Sequence, residues 1–386
     1  MLVTGRNWGI FSSVKSMQPF PKVACSPVIS CVIAHTTEYT HPLGLMAHLD
    51  HTPRGHAARY VESCYSGMRD DFDRTEAYRR AIVEAAKGKV VVDMGTGALA
   101  LLAIIAAKAG ATHVYAIEVQ AAAAESARRA VEAAGLSERI TVLEGFSTDS
   151  DVVLPTKADL MVHELIGEIA GEEGVVAAVV DALRRHMVQP LSPPISIPAR
   201  TRSLVAPCEY PDAAYCARLP AALLETPGCA RALKLPAIPM TTRLSPPQTF
   251  EDLRFELGAP AASQAHNLRF VAARAGRLRG LAVHVELFVG AGAGDAEADV
   301  SSAWEGSHWR TILLLLDDEV AVAEGQVMLV RTSAELAGAQ PQYWFEVLLE
   351  EAGGALRPLA PARMSYPEAA LNVNDSADAI LDRFAP

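Results

Sequence analysis

Two glutamates, Glu164 and Glu173, stand nine residues apart, with Gly167 and Gly171 between them. Glu164 directly follows an apolar run, residues 160–163, that predicts a buried strand. Parallel sheets hold ligands at the carboxyl ends of their strands, and a glycine-bearing bend can return the second carboxylate to the same pocket. Two carboxylates placed in this way bind a planar cation through paired hydrogen bonds. The alternative is a solvated acidic turn before a helix, where acids are favoured without any ligand.

A glycine-containing turn lies upstream of this glutamate pair. The segment Asp93-Met94-Gly95-Thr96-Gly97 follows an apolar strand pattern and precedes a helical pattern over 98–108. At such a turn, glycines let a ligand approach the backbone, and the helix N-terminus favours negative charge. Glu118 ends the next predicted strand, 113–118, where an acid suits the two hydroxyls of a ribose. The pattern fits NAD, FAD or S-adenosylmethionine, or a tight turn without a ligand. Ala100 in the last glycine position of GxGxxG disfavours a dinucleotide.

A further group of polar and aromatic residues has less specific spacing. His308 precedes Trp309, and Asp71 and Arg74 lie three residues apart in a helical pattern that includes Met68. A tryptophan usually packs in a core, and an Asp–Arg pair at this spacing usually forms a weak surface ion pair. Methionine at helical spacing is usually a core residue. Taken alone, these residues indicate structure more than chemistry.

The first half of the chain alternates between strand and helix patterns. After a helical region at 54–86, strands are predicted at 90–93, 113–118, 140–143 and 160–163, and helices at 98–108, 121–134 and 173–187. Such alternation implies right-handed crossovers and a parallel sheet that is covered on both faces. We therefore predict a Rossmann-like, doubly wound α/β domain with N-terminal helices over residues 51–190.

After Pro190 the pattern changes to short β-type runs. They lie at residues 203–206, 268–272, 281–289, 311–316, 327–331 and 343–349. Runs of this kind predict a β-barrel or a sandwich over residues 191–386. Residues 211–247 contain seven prolines and little periodicity, so we expect an inserted arm there.

Composition excludes several classes of protein. Of 386 residues, 50% are hydrophobic and 20% are charged, which excludes a disordered chain. The net charge of −11 disfavours direct binding to nucleic acid, and no apolar run reaches the ~18 residues of a membrane span. The six cysteines lack CxxC spacing, which disfavours a disulfide framework or a thiolate zinc site. We predict no metal site and interpret the loose histidine cluster at 41–56 as loop residues.

The first fifty residues are expected to be a leader. Residues 1–37 contain three basic and no acidic side chains, with several serines, and 1–50 show no sustained period. The segment is therefore either disordered or a transit segment. We expect the protein in the cytoplasm or nucleus, and organellar targeting stays open.

Five motifs, taken in order, resemble the protein arginine N-methyltransferase family over about residues 57–350. The motifs are Tyr65-Ser66-Gly67-Met68-Arg69-Asp70-Asp71 with Arg74 and Tyr78, the segment 91–118, the acidic loop from His163 to Glu173, Ile197-Pro198-Ala199-Arg200, and Ser307-His308-Trp309-Arg310-Thr311. The glycine turn alone is unspecific. A glutamate pair that is followed more than a hundred residues later by His-Trp is specific.

The resemblance implies an enzyme that transfers a methyl group from S-adenosyl-L-methionine to a guanidinium nitrogen of arginine in a protein or peptide. It also implies a homodimer formed through the arm. Glu164 and Glu173 would clamp the guanidinium, and Arg74 would pair with the carboxylate of the cofactor. The implied site comprises catalytic Glu164, Glu173, His308 and Asp71; cofactor-binding Arg74, Asp93, Gly95, Gly97, Glu118, Ser147 and Thr148; and substrate-binding Met68, Tyr65 and Trp309.

The sequence departs from the family pattern in several places. Leu99 stands where the family usually has a third glycine, and its side chain would press on the cofactor. Thr148 replaces a glutamate, and the aromatic segment before the first helix is missing. Tyr65, Met68 and the pair Ser147-Thr148 look more like the monomethylating subgroup. Two alternatives stay open: a methyltransferase acting on a small molecule or a non-arginine group, and a catalytically inactive scaffold.

Overall fold

The computed structural model describes residues 68–218, 232–290, 297–337, 340–366 and 370–372. The predicted leader at 1–50, Tyr65 and the central part of the predicted arm lie outside the described residues. No helix in the described part of the chain is both long enough and apolar enough to cross a membrane.

The first half folds into a five-stranded parallel sheet with helices packed on it. The strands are β1 Val90–Met94, β2 His113–Glu118, β3 Ile140–Glu144, β4 Leu160–His163 and β5 Ser196–Ile197. Their order across the sheet is β3-β2-β1-β4-β5. Almost every residue of β1, β2 and β4 is buried, because helices cover both faces of the sheet. This arrangement confirms the predicted Rossmann-like α/β domain.

Within the described residues, four helices accompany the sheet. They are α1 Phe72–Ala85, α2 Leu101–Lys108, α3 Ala121–Ala133 and α4 Val175–Arg185. Helix α2 begins three residues later than predicted because Ala100 adopts a left-handed conformation with φ 43° and ends the preceding turn. The loop that carries Leu99 is therefore longer than the sequence indicated. Strand β5 also extends the sheet to Ile197, past the predicted domain boundary at 190.

The second half is an antiparallel, barrel-like domain. Its strands are β6 Arg200–Cys208, β7 Ala232–Leu235, β8 Gln248–Arg254, β9 Ser263–Val271, β10 Gly276–Phe288, β11 Val300–Ser301, β12 Thr311–Val322, β13 Val327–Glu335, β14 Gln342–Glu350, β15 Leu356–Pro358, β16 Met364–Tyr366 and β17 Ala370–Asn372. Two sheets result, ordered β17-β7-β12-β10-β6-β8, with β11 beside β10, and β15-β14-β13-β9, with β16 beside β14.

The interval predicted to be an inserted arm belongs partly to this domain. A one-turn helix, α5 Ala213–Cys216, begins it, and β7 then pairs with β12 inside the larger sheet. Strand β8, which the sequence analysis missed, lies at the edge of the same sheet beside β6. The interval predicted to contain the arm therefore also includes β7, a strand of the barrel.

The carboxyl group of Glu251 on β8 is buried where the barrel contacts the loop after β4. The Ser203 and Tyr343 hydroxyls donate to its two oxygens at 2.5 and 2.8 Å. The Ser203 oxygen also accepts the amide N–H of Ala170, at 2.9 Å, from the loop after β4. Gly171 makes this approach possible, because a Cβ there would lie 2.7 Å from Glu251 Oε1. Burial raises the pKa of Glu251 to about 7.

We predict that the unfolding free energy of the wild-type protein falls, relative to that of a Glu251→Gln variant, as the pH rises from about 4.5 to 7. Below this range the carboxyl group is neutral in both the folded and the unfolded state. Within it, the unfolded chain releases the proton while the buried group keeps it, which costs the folded state roughly 3 kcal/mol in total.

Chemical denaturation of both proteins across this pH range measures the effect. The other titrating groups cancel when the two unfolding free energies are subtracted. A difference that stays constant with pH would contradict the prediction, since the carboxyl group would then keep its ordinary pKa when buried.

Candidate active site

A cavity opens at the carboxyl edge of the parallel sheet. It contains about 1080 Å³ of space free of protein atoms, part of it open to solvent. Its walls come from the start of α1, the turn after β1, the ends of β2, β3 and β4, and the start of α4. The lining residues are Met68, Arg69, Arg74, Asp93, Gly95, Thr96, Gly97, Leu99, Leu101, Leu102, Ile117, Glu118, Val119, Gln120, Gly145, Phe146, Ser147, Glu164, Leu165, Glu173, Gly174 and Ala178.

Glu118 ties the glycine turn to the end of β2. Its carboxylate accepts the N–H of Gly97 at 2.9 Å and the N–H of Gln120 at 2.8 Å. Burial raises the pKa of Glu118, although these backbone donors oppose the shift. The carboxylate is thus held rigidly in the cavity wall, with lone pairs that remain able to accept hydroxyl groups.

Asp93 lies at the end of β1, directly below the glycine turn. The Thr96 hydroxyl donates to its Oδ2 at 2.6 Å, whereas its Oδ1 has no hydrogen-bond partner among the described residues. The side chain is almost fully buried, and this burial raises the pKa of Asp93 to about 6. An unsatisfied buried carboxylate oxygen in a cavity wall indicates a missing donor.

Arg74 on α1 meets Glu164 at the end of β4. Its Nη2 lies 2.7 Å from Glu164 Oε2, and the two side chains are only 5% and 7% exposed. The guanidinium also lies over the ring of Tyr78, whose hydroxyl donates to the carbonyl oxygen of His163. Arg74 Nε is buried and lacks a partner in the part of the chain that is described. The arginine therefore keeps one N–H donor, at Nε, that does not bind Glu164.

The loop between the two glutamates returns both carboxylates to the cavity. Glu164 and Glu173 line it together, and Glu172 is 1% exposed. Burial of Glu172 contradicts the solvated turn of the alternative interpretation, whereas the position of Glu173 before a helix agrees with it. Helix α4 starts only at Val175, after Gly174 in a left-handed conformation, so Glu173 precedes the helix.

The His-Trp segment supports the loop from the barrel side. The indole N–H of Trp309 donates to the carbonyl oxygen of Ile166 at 2.6 Å, and Trp309 is 4% exposed. Asp71 Oδ2 accepts both the backbone N–H and the ring Nδ1 of His308, at 2.9 and 2.8 Å. Burial alone would raise the pKa of Asp71, but the hydrogen bonds from His308 and the N–H of Arg74 hold it below its usual value.

The structure brings most of the predicted site residues to this cavity. Those in its lining are Met68, Arg74, Asp93, Gly95, Gly97, Glu118, Ser147, Glu164 and Glu173. The Asp71–His308 pair lies behind Arg74. Thr148 is not part of the lining, and neither is Trp309, whose indole is packed in the core. The roles expected of these two residues toward cofactor and substrate stay predictions.

Some lining residues were missed by the sequence analysis. Phe146 follows Gly145 at the end of β3, and Leu165 follows Glu164 at the end of β4. Both lie at the carboxyl ends of parallel strands, the positions that identified Glu118 and Glu164. The same rule could have found them, but apolar residues in these positions carry no chemical signal of their own.

Part of the parallel-sheet domain matches known sequences. Residues 77–173 match the family model for ribosomal protein L11 methyltransferase (PrmA). The probable histone-arginine methyltransferase CARM1 of Oryza sativa subsp. indica is 38% identical over 124 residues, which are 31% of this chain and 23% of that protein. The probable protein arginine N-methyltransferase 6 of Arabidopsis thaliana is 34% identical over 148 residues, 38% of this chain and 32% of that protein. The chain thus spans about a quarter to a third of the length of these curated relatives.

Solved structures match over more of the chain. Protein arginine methyltransferase 10 of Arabidopsis thaliana gives a TM-score of 0.64 at 20% identity, covering 79% of this chain and 97% of that chain. The Trypanosoma brucei PRMT1 enzyme-prozyme complex with AdoHcy gives 0.62 at 19% identity, covering 78% and 96%. This chain therefore shares the two-domain fold of solved arginine methyltransferases, a Rossmann-like parallel sheet followed by an antiparallel barrel-like domain.

Proposed function

We propose that this protein transfers a methyl group from S-adenosyl-L-methionine to a guanidinium nitrogen of arginine in a protein or peptide. The observation that carries the proposal is the cavity that Glu164 and Glu173 share with the glycine turn and Glu118. The two glutamates that would bind the guanidinium and the strand ends that would bind the nucleoside therefore line the same cavity. The names of the relatives and the shared fold support the same reaction.

The residues of the cavity fit S-adenosylmethionine. Arg74 Nε and Asp93 Oδ1, both buried in the wall, lack partners within the described residues. A donor on a cation and an acceptor on an acid suit the carboxylate and the ammonium of the methionine part. Glu118 would accept the ribose hydroxyls, and Gly95 and Gly97 would border the ligand. Ser147 would lie near the adenine.

In the proposed reaction, the main task of the protein is to place the methyl donor and the guanidinium next to each other. S-adenosylmethionine supplies an electrophilic methyl carbon, which leaves sulfur as a new bond to nitrogen forms. Glu164 and Glu173 would bind the guanidinium and draw its positive charge away from the attacking nitrogen. The nitrogen loses one proton, which His308, held by Asp71, would accept directly or through water. Fixed orientation of the reactants lowers the barrier by up to ~7–11 kcal/mol in favourable intramolecular cases.

We predict that Glu173→Gln lowers kcat/KM for methylation of an arginine-rich peptide at least ~100-fold, because a neutral amide cannot polarise the guanidinium. The variant leaves the Arg74–Glu164 pair intact, so binding of S-adenosylmethionine should persist. Transfer of an isotope-labelled methyl group measures the rate, and calorimetry measures cofactor binding. Mass spectrometry identifies the modified residue, for which we propose monomethylarginine as the product.

Glu144→Gln is the matched control for this experiment. Glu144 also ends a strand of the parallel sheet, but it is exposed and pairs with Arg128 at the surface. The rate of methyl transfer by the Glu144→Gln variant should equal that of the wild type. Methyl transfer by the wild type to a small molecule or another residue type, with unchanged turnover in Glu173→Gln, would contradict the proposal.

A second candidate function, a non-catalytic scaffold, is favoured by one observation. Leu99 lines the cavity where relatives in the family usually have glycine, and the left-handed Ala100 follows it. If Leu99 crowds the cofactor, Leu99→Gly should lower the dissociation constant for S-adenosylmethionine about tenfold by removing the side chain from the cavity. Leu99→Ala, which removes most of the bulk but restricts the backbone, separates the two effects.

Calorimetric titration of the three proteins decides this point. An unchanged or higher dissociation constant in Leu99→Gly would contradict crowding. Absence of binding by the wild type at millimolar cofactor would favour the scaffold over the enzyme.

We also propose that the protein forms a homodimer through the predicted arm at 211–247. At its start, Tyr215 is buried beside Leu233 and Leu235, and its hydroxyl donates to the carbonyl oxygen of Pro236, which fixes the base of the arm on the barrel. Replacing residues 219–231 with a short Gly-Ser linker should therefore convert a dimer into a monomer. Analytical ultracentrifugation measures this, and a wild-type protein that sediments as a monomer at about 50 μM would contradict the proposal.

A further inference from the structure

A buried cation lies beneath the acidic loop. Lys234 on β7 places its Nζ 2.6 Å from Glu168 Oε2 and 3.2 Å from Glu172 Oε1. The three side chains are 18%, 17% and 1% exposed, respectively. An ion pair at this depth is held in a low dielectric, so loss of its cation leaves two uncompensated acids.

The loop backbone is shaped around one of these acids. The side chain of Glu172 folds back over Gly167, where any Cβ would overlap it. The N–H of Glu168 also points at Glu172 Oε1, at a distance of 3.3 Å. The carboxylate of Glu172 therefore fills the bend between Glu164 and Glu173, and the charge that holds it there comes from Lys234.

The barrel places Lys234 with little freedom. Lys234 is paired with Ile312 in the ladder between β7 and β12. Strand β12 begins at Thr311, two residues after Trp309, which holds the carbonyl oxygen of Ile166. Two supports of the loop thus come from β7 and from the segment that leads into β12, its neighbour in the same sheet.

The opposite charges of Lys234 and of the two glutamates, Glu168 and Glu172, stabilise the observed arrangement. Burial would lower the pKa of Lys234, but attraction to Glu168 and Glu172 raises it well above its usual value. The ammonium therefore stays charged at neutral pH. Two neighbouring buried carboxylates without it would repel each other or take up a proton.

We propose that Lys234 is a positioning residue, which fixes the acidic loop in the bend that turns Glu173 into the cavity beside Glu164. The importance of this bend for catalysis rests on the proposed function. Lys234 is not among the residues that line the cavity. It acts through Glu168 and Glu172.

The test compares the full-length wild type with Lys234→Met and a matched control. Arg202→Met is the control, because the side chain of Arg202 pairs with Glu286, a residue outside the loop, at a similar exposure on the same sheet. The first readout is hydrogen exchange of the loop amides in the protein without substrate. The second is steady-state methylation of an arginine-rich peptide, together with calorimetric binding of S-adenosylmethionine.

We expect the amides of residues 165–174 to exchange at least ~10-fold faster in Lys234→Met and at the wild-type rate in Arg202→Met. The KM for the peptide should rise at least ~10-fold, with the dissociation constant for S-adenosylmethionine unchanged within about twofold. A purely structural defect would lower the folded fraction and hence kcat, and would leave the KM for the peptide unchanged. Unchanged loop exchange, or an unchanged peptide KM in an active enzyme, overturns the proposal.

The test also covers an inactive wild type and a variant that does not fold. If the wild type methylates no arginine, the proposed function fails, whereas loop exchange still decides whether Lys234 fixes the loop. If Lys234→Met does not fold, Glu168→Gln carries the same test, because it removes one contact and keeps the cation paired with Glu172. Its loop amides should exchange about threefold faster than in the wild type, and an unchanged rate overturns the proposal.

Discussion

The buried ion pair between Arg74 and Glu164 is the interaction on which the site depends. It joins α1 to the end of β4 across ninety residues of sequence. Removal of one partner from a pair at this depth typically costs about 3–5 kcal/mol, since the other charge stays desolvated. The pair also fixes the rotamer of Glu164 and the direction of Arg74 Nε. The geometry of this part of the cavity therefore follows from one charge interaction between α1 and the parallel sheet.

Several other acids of the protein are buried as well. Each has a different source of compensation. Glu164 is paired with an arginine, Glu118 with backbone N–H groups, Glu172 with a lysine, and Glu251 with two hydroxyls. The compensating groups come from both domains. The antiparallel domain thus supplies the cation that compensates Glu172 in the loop between Glu164 and Glu173.

The sequence allowed the parallel sheet and its cavity edge to be predicted, because strand alternation and glycine turns are local signals. It failed where structure depends on distant contacts. Strand β7 is short and lies among prolines, so only its pairing with β12 identifies it. Trp309 belongs to a motif that the sequence shows, but the sequence does not show where its indole packs. That position depends on the hydrogen bond to the carbonyl oxygen of Ile166. Lys234 had no signal, since its partners are more than sixty residues away. The late start of α2 reflects the backbone at Ala100, which composition does not reveal.

The contact between Asp71 and His308 has a consequence for biosynthesis. The two residues are 237 positions apart, so the start of α1 and the segment that precedes β12 must meet late. Long-range closure of this kind is slow, and domains emerge from the ribosome in order. A nascent chain that has completed the parallel sheet still lacks the histidine, the tryptophan and the lysine beneath the loop. Translation thereby separates the formation of the parallel-sheet half of the cavity from the arrival of its supports in the antiparallel domain.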